Sequence, residues 1–181
     1  MSYRSELLAD RIEEGAEALA SFAEGLSEAQ WQTPVSATDR RSIAVVTHHV
    51  ASFYAVEIEL ARAIASGHAV KNVTPEVINQ INAHHARELL NPNQAATIDL
   101  LRRNSRAAAA KVREFTDEQP DRAAPFSLSF GAPVTAQFVI EDHALRHSWH
   151  HLARIRAALT TQKPIPQTRV AVTAQNVFWI C

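Results

Sequence analysis

The sequence predicts an all-α, single-domain four-helix bundle with a long connection before its last helix. Three observations lead there. Apolar residues recur at three- and four-residue steps through four long stretches, the spacing of helices with one buried side. Only four glycines occur among 181 residues, too few for the many turns of a sandwich or barrel, and alanine is abundant. Hydrophobic residues make up 46% and charged ones 20%, a globular balance that fills a core without disulfide or metal staples.

The first helix spans about Ser5 to Gly25, with Leu8, Ile12, Ala16, Leu19 and Phe22 on one side and Gly25 as its stop. Ser27-Glu28-Ala29-Gln30 has capping-box spacing and opens a short turn ending near Trp31, before Thr33-Pro34 breaks the chain. A second helix is expected from about Asp39 to Ser66, stopped by Gly67. At about 100° per residue, Val45, Val46, Val50, Phe53, Val56, Leu60 and Ile64 share one broad sector of it. His49 and Glu57 fall inside that sector, whereas His48 falls outside with Ser52, Glu59 and Arg62, toward water.

Thr74-Pro75 starts a third helix as N-cap and first-turn proline, with Val77, Ile78, Ile81, His85 and Leu89 on its apolar side. Asn91-Pro92-Asn93-Gln94 repeats that start signal, so the helix either kinks or restarts there before running through Ile98, Leu101, Ala108, Val112 and Phe115. Residues 116–133 read as a connection carrying Phe126, Leu128 and Phe130, packed over one end of the bundle with room for a brief extended piece. Thr135 caps the last helix, which runs to about Leu159. Its expected buried side is Ile140, Ala144, Leu145, Trp149, Leu152, Ile155 and Leu159. The helical core thus covers about residues 5–160, followed by an apolar tail over 161–181.

Several function classes fall away. A net charge of −1, with arginines scattered among acids, makes no case for nucleic acid or an anionic membrane as partner. The single cysteine, Cys181, leaves no intrachain disulfide and no thiolate metal site. Leu7-Leu8-Ala9 runs straight into Asp10-Arg11 and no uncharged run approaches membrane-spanning length, so a cytoplasmic location is expected. There is no glycine-rich phosphate loop, no G-x-S-x-G elbow and no H-E-x-x-H.

What remains is histidine. Four of the nine lie between His143 and His151. His147 and His151, one turn apart, lie along one margin of the last helix's apolar side, where their ring nitrogens can converge on one ion. His143 and His150 lie further round, beside Arg146 and Arg154 on the wetter face, and His143 is a candidate outer group. His49, inward on the second helix, completes a set of three neutral nitrogen ligands: His49, His147 and His151. Three leave coordination positions open for water or substrate, as catalytic rather than structural sites do. Taken singly, an i, i+4 pair is a weak signal, and a lone inward histidine is more often a hydrogen-bonded core residue. His85 is a candidate fourth ligand, and Glu57 a candidate acceptor for a ligand N–H or else an unrelated buried polar contact.

Ser42, then His49-Val50-Ala51 seven residues on, and His147-x-x-x-His151 on the last helix together resemble the DinB/YfiT-like superfamily of metal-dependent four-helix bundles. The Leu26–Trp31 turn adds to the likeness, which covers most of residues 5–160. The resemblance implies that His49, His147 and His151 bind a divalent metal, zinc or nickel, in a homodimer. It also implies an activity akin to thiol-dependent S-transfer or mycothiol-dependent isomerisation, with a low-molecular-weight thiol meeting an electrophilic small molecule. The chain departs from the pattern at Arg41, where many relatives have tryptophan, and at Leu152-Ala153-Arg154, where many have Arg-Gly-Gln. Fold and metal therefore transfer better than substrate. The alternative is a non-catalytic metal-binding or stress-related bundle.

Overall fold

The computed structural model describes residues 2–161; from residue 162 the expected tail, Cys181 included, lies outside the described residues. The main helices are α1 (Tyr3–Glu24), the short α2 (Glu28–Trp31), α3 (Ile43–Ala65), α4 (Pro75–Glu88) and α5 (Gln94–Arg113). A small hairpin follows, β1 (Ala123–Pro125) antiparallel to β2 (Pro133–Thr135). The last helix is one rod in three parts: α6 (Ala136–Val139), a π-helical segment (Ile140–Leu145) and α7 (Arg146–Thr161).

Most helix starts follow the expected capping chemistry. Ser27 and Gln30 form a reciprocal capping box, and Thr74, Asn93 and Thr135 each accept a backbone N–H from three residues on. The second helix starts later than expected. Ser42 is its N-cap, and Asp39 stays in the preceding loop, bonded to Arg41. At Asn91-Pro92 the chain restarts rather than kinks, so α5 alone is the third rod of the bundle.

The rods are arranged in a ring. α1 and α3 both pack on α5, and both pack on the last helix. Sequence neighbours α1 and α3 therefore stand on a diagonal, whereas α3 and the last helix stand side by side. This arrangement sets the two histidine-bearing helices face to face. Ion pairs lace α1 to α5: Arg102 to Glu17 and Glu24, Arg113 to Glu6, Asp10 and Glu13. Helix α3 has the length and hydropathy of a membrane span, but 61% of that stretch is buried inside the bundle. Its apolarity is accounted for by packing.

Three expected core positions are corrected. Val56 is 51% exposed, because the buried stripe of α3 is centred on Val50, Tyr54 and Ile58, and Val56 lies about 200° from Ile58 around the helix. Helix α4 buries no residue, and Ile81 is 43% exposed. It lies against α3 outside the ring, so its apolar side is only half covered. Trp149 is 38% exposed, since the centre of the α7 face belongs to Ser148, whose hydroxyl meets that of Tyr54 at 2.5 Å.

The connection before the last helix does seat on the bundle through Ala124 and Phe126, both buried. Phe130 instead stands 95% exposed at the hairpin tip with a left-handed φ of 55°. His48 is not turned to water either. It is half-buried beneath α4, its Nδ1 3.0 Å from Nε2 of His85.

Candidate metal centre

α3 presents His49 one turn before Phe53, whose ring lies 4.4 Å from its own. The fourth rod presents His147 and His151 from the first turns of α7. The preceding π segment sets their bearing. In i→i+5 geometry residues five apart share a side, so Ile140 and Leu145 both reach the core. Nothing local announces this segment: no glycine or proline occurs from 136 to 161.

The three imidazoles meet. His49, His147 and His151 each offer a ring nitrogen, and these nitrogens all lie within 4.8 Å of one another. Nε2 of His49 stands 3.0 Å from Nε2 of His147. Two nitrogens each about 2.1 Å from a common ion, at tetrahedral to right-angle bond angles, are roughly 3.0–3.4 Å apart. The His49–His147 pair already has that spacing, and the His151 nitrogen lies within 4.8 Å of both.

Burial tunes these ligands. It holds His49 down to about 2, with His147 and Arg41 adding to the effect, and it pushes His151 well below the ordinary histidine range. Both are neutral donors at physiological pH and need lose no proton to bind a metal. The Nδ1 atoms of His49 and His151 are buried without a hydrogen-bond partner. Such groups are costly to bury unless the site serves something beyond packing.

Glu57 stands two turns beyond His49 on α3, buried to 7% exposure. Its Oε1 lies 2.7 Å from Nδ1 of His147, out of line with the N–H, and its Oε2 has no partner. A carboxylate beside Nδ1 favours the tautomer whose Nε2 lone pair faces the other two histidines. Of the sequence-predicted outer groups, Glu57 is thus one that touches a member of the cluster.

The other candidates are elsewhere. His85 pairs with His48, its ring centre 5.7 Å from that of His49, and it is not among the converging nitrogens. His143 is half-buried rather than on a wet face. Its ring lies 5.6 Å edge-on to Phe126, and burial lowers its pKa against the pull of Glu57 and Asp142. The widened π turn accounts for this inward shift. His150 lies outside the cluster, its ring 5.0 Å from that of His151.

Two features of the site were not anticipated. One is the Tyr54–Ser148 contact, which pins α3 to α7 beside the histidines. Its signal was present in the spacing Ala144, Ser148, Leu152 and Ile155, which puts the serine at the centre of the apolar face. The other is Asp39, which accepts from both Arg41 and Arg154. No local pattern marks a contact between residues 115 apart.

A helical bundle that gathers three inward histidines from adjacent rods, with an acid behind one of them, defines a protein class built around a polar centre that fits a divalent ion. Residues 11–155 match the family model of the DinB superfamily, and the chain belongs to that superfamily. Among solved structures it is similar to YfiT from Bacillus subtilis, described as a probable metal-dependent hydrolase with an unusual four-helix bundle topology. That likeness has a TM-score of 0.70 and 17% identity over 89% of each chain, and it speaks to the fold. No curated protein matches.

Proposed function

We propose that the chain is a metal-dependent enzyme in which His49, His147 and His151 hold a divalent ion, zinc or nickel. The observation that carries this reading is the convergence of three ring nitrogens from two rods, two on buried histidines and one on the half-buried His147. When bound, such an ion polarises an electrophile and lowers the pKa of a water or thiol beside it. The protein's own part is to supply three imidazole donors and leave the remaining positions open. Glu57 fixes the tautomer of His147, and Tyr54 with Ser148 fixes the distance between the rods.

The nucleophile separates two versions of this chemistry. Family resemblance supports a low-molecular-weight thiol and S-transfer to an electrophilic small molecule. The description of YfiT supports water and hydrolysis. A homodimer is the proposed assembly. Untagged protein, as purified and after reconstitution with zinc or nickel, is expected to carry one ion per chain. The loaded protein is then screened with several thiols and a generic electrophile, and with ester and amide substrates. Absence of stoichiometric metal in every preparation defeats the proposal. A closed four-ligand shell with no exchangeable position points instead to the non-catalytic bundle.

A further inference from the structure

Beside the histidine cluster, the loop before α3 and the fourth rod are joined by one carboxylate and two guanidiniums. Asp39 accepts from Arg41 at 2.9 Å (Nε to Oδ1) and 2.7 Å (Nη2 to Oδ2), and from Arg154 Nη2 at 2.8 Å on the same Oδ2. Two positive charges share one negative charge, so the group is net cationic. Asp39 is the only hydrogen-bond partner that the described residues give either guanidinium. A guanidinium has five N–H donors, so several remain on each, and the side chains are 25% and 31% exposed.

Position makes this group more than a staple. Arg154 is one turn beyond His151 on α7, and Arg41 immediately precedes the N-cap of the helix that carries His49. Both stand near enough to act electrostatically on the cluster, Arg41 on His49 and His85, Arg154 on His150 and His151. A purely structural link between loop and helix needs one cation, and a second on the same carboxylate is in excess. Forked donors, half-anchored and open to solvent, suit a carboxylate or another oxyanion.

We propose that Arg41 and Arg154 form an anion-binding subsite that selects small substrates bearing a carboxylate, or a like oxyanion, beside the group that reacts at the histidine centre. This deepens the metal-centre reading above and rests on it.

Cobalt(II)-loaded full-length protein provides the test, because its visible spectrum reports metal uptake and ligand entry separately. The probes are 3-mercaptopropionate and uncharged 3-mercaptopropan-1-ol, each titrated into wild type, Arg41→Gln, Arg154→Gln and Asp39→Asn. Comparing the ratio of the two affinities between proteins cancels any intrinsic difference between the thiols. Wild type is expected to favour the carboxylate at least about tenfold, the scale of a charge-assisted bond. Either arginine variant should cut that preference to about threefold or less and leave the neutral thiol unaffected. Asp39→Asn keeps both cations and removes their internal competitor, so it should raise the preference. A wild type indifferent to the charge, or a preference that survives both arginine variants or falls in Asp39→Asn, overturns the subsite alone. Failure of cobalt to bind is visible before any thiol is added, and it removes the metal reading and this inference together.

Discussion

Nε2 of His49 and Nε2 of His147 lie 3.0 Å apart although 98 residues separate them in the chain. The ring order of the rods makes this possible. Were consecutive helices adjacent all the way round, α3 would stand next to α1 and diagonal to the last helix, and its histidine would face the His147–His151 pair across the bundle instead of from beside it. Removing a converging ring should therefore differ from removing a neighbouring one. His49→Ala and His147→Ala are expected to lose metal by more than the roughly 10–100-fold that loss of an outer partner costs. His85→Ala is expected to retain one ion per chain. Metal analysis after dialysis against a weak chelator distinguishes them, and equal losses in all three variants would count against a three-ligand set.

Glu57 makes a sharper claim, because it meets the site at His147 Nδ1. Glu57→Leu keeps the volume and removes the carboxylate beside Nδ1, and metal affinity should fall about 10–100-fold. Glu57→Gln keeps an acceptor oxygen without the charge and should fall in between. Competition with a chelator of known affinity measures both, with far-UV circular dichroism to show that the helices persist. Wild-type affinity in Glu57→Leu would reduce Glu57 to a packing residue.

The hydroxyls of Tyr54 and Ser148 meet at 2.5 Å, both fully buried. Tyr54→Phe or Ser148→Ala alone leaves the other hydroxyl stranded, at a cost of about 1–3 kcal/mol each. The double variant should cost clearly less than the two singles together, with a coupling on the order of 1 kcal/mol. Urea unfolding of the four proteins of this cycle gives the number; strict additivity would mean the hydroxyls find other partners.

Sequence patterns carried the rods and their caps, because periodicity and capping are local: Ser27 with Gln30, Thr74 with Pro75, and Thr135 all behave as their types dictate. They also placed His49, His147 and His151 inward, since each shares a side with apolar residues on its own helix. What failed depended on where a neighbouring rod stands. Val56 and Ile81 carry apolar side chains at helical spacing, yet among the described residues no rod covers them fully. An ideal 3.6-residue helix puts His143 on a wet face, and the π segment, with no sequence marker, turns it inward. Asp39 looked like a helix start, whereas its partners Arg41 and Arg154 become evident only once the fourth rod is in place.

Acid should loosen the α1–α5 face in a defined window. Hydrogen bonds from Arg102 hold the Glu17 carboxyl down to about 2. A carboxylate with a depressed folded value contributes stability that is present above its unfolded pKa, about 4.3, and is lost as pH falls from there toward 2. Glu17 is half exposed, so solvent screening keeps the effect small. Glu17→Gln should be slightly less stable than wild type at pH 6, and the difference should vanish near pH 2. Urea midpoints across that range measure it, and a gap that widens on acidification would reverse the assignment.

Gly15 sits in the middle of α1, where alanine ordinarily gains about 1 kcal/mol over glycine. Here a β-carbon would stand 2.9 Å from Nε1 and 3.2 Å from Cδ1 of Trp149, so the glycine is what lets the indole come this close to α1. The clash opposes the propensity gain, and the indole, 38% exposed, can yield only by leaving that contact. Gly15→Ala should therefore lower stability by about 1 kcal/mol, in the range of core overpacking. In a Trp149→Ala background the obstacle is gone, and the same substitution should raise stability by about 0.5–1 kcal/mol. This sign reversal, read by urea denaturation of the four combinations, separates steric contact from backbone preference. Stabilisation in both backgrounds would show that Trp149 does not hold its place against α1.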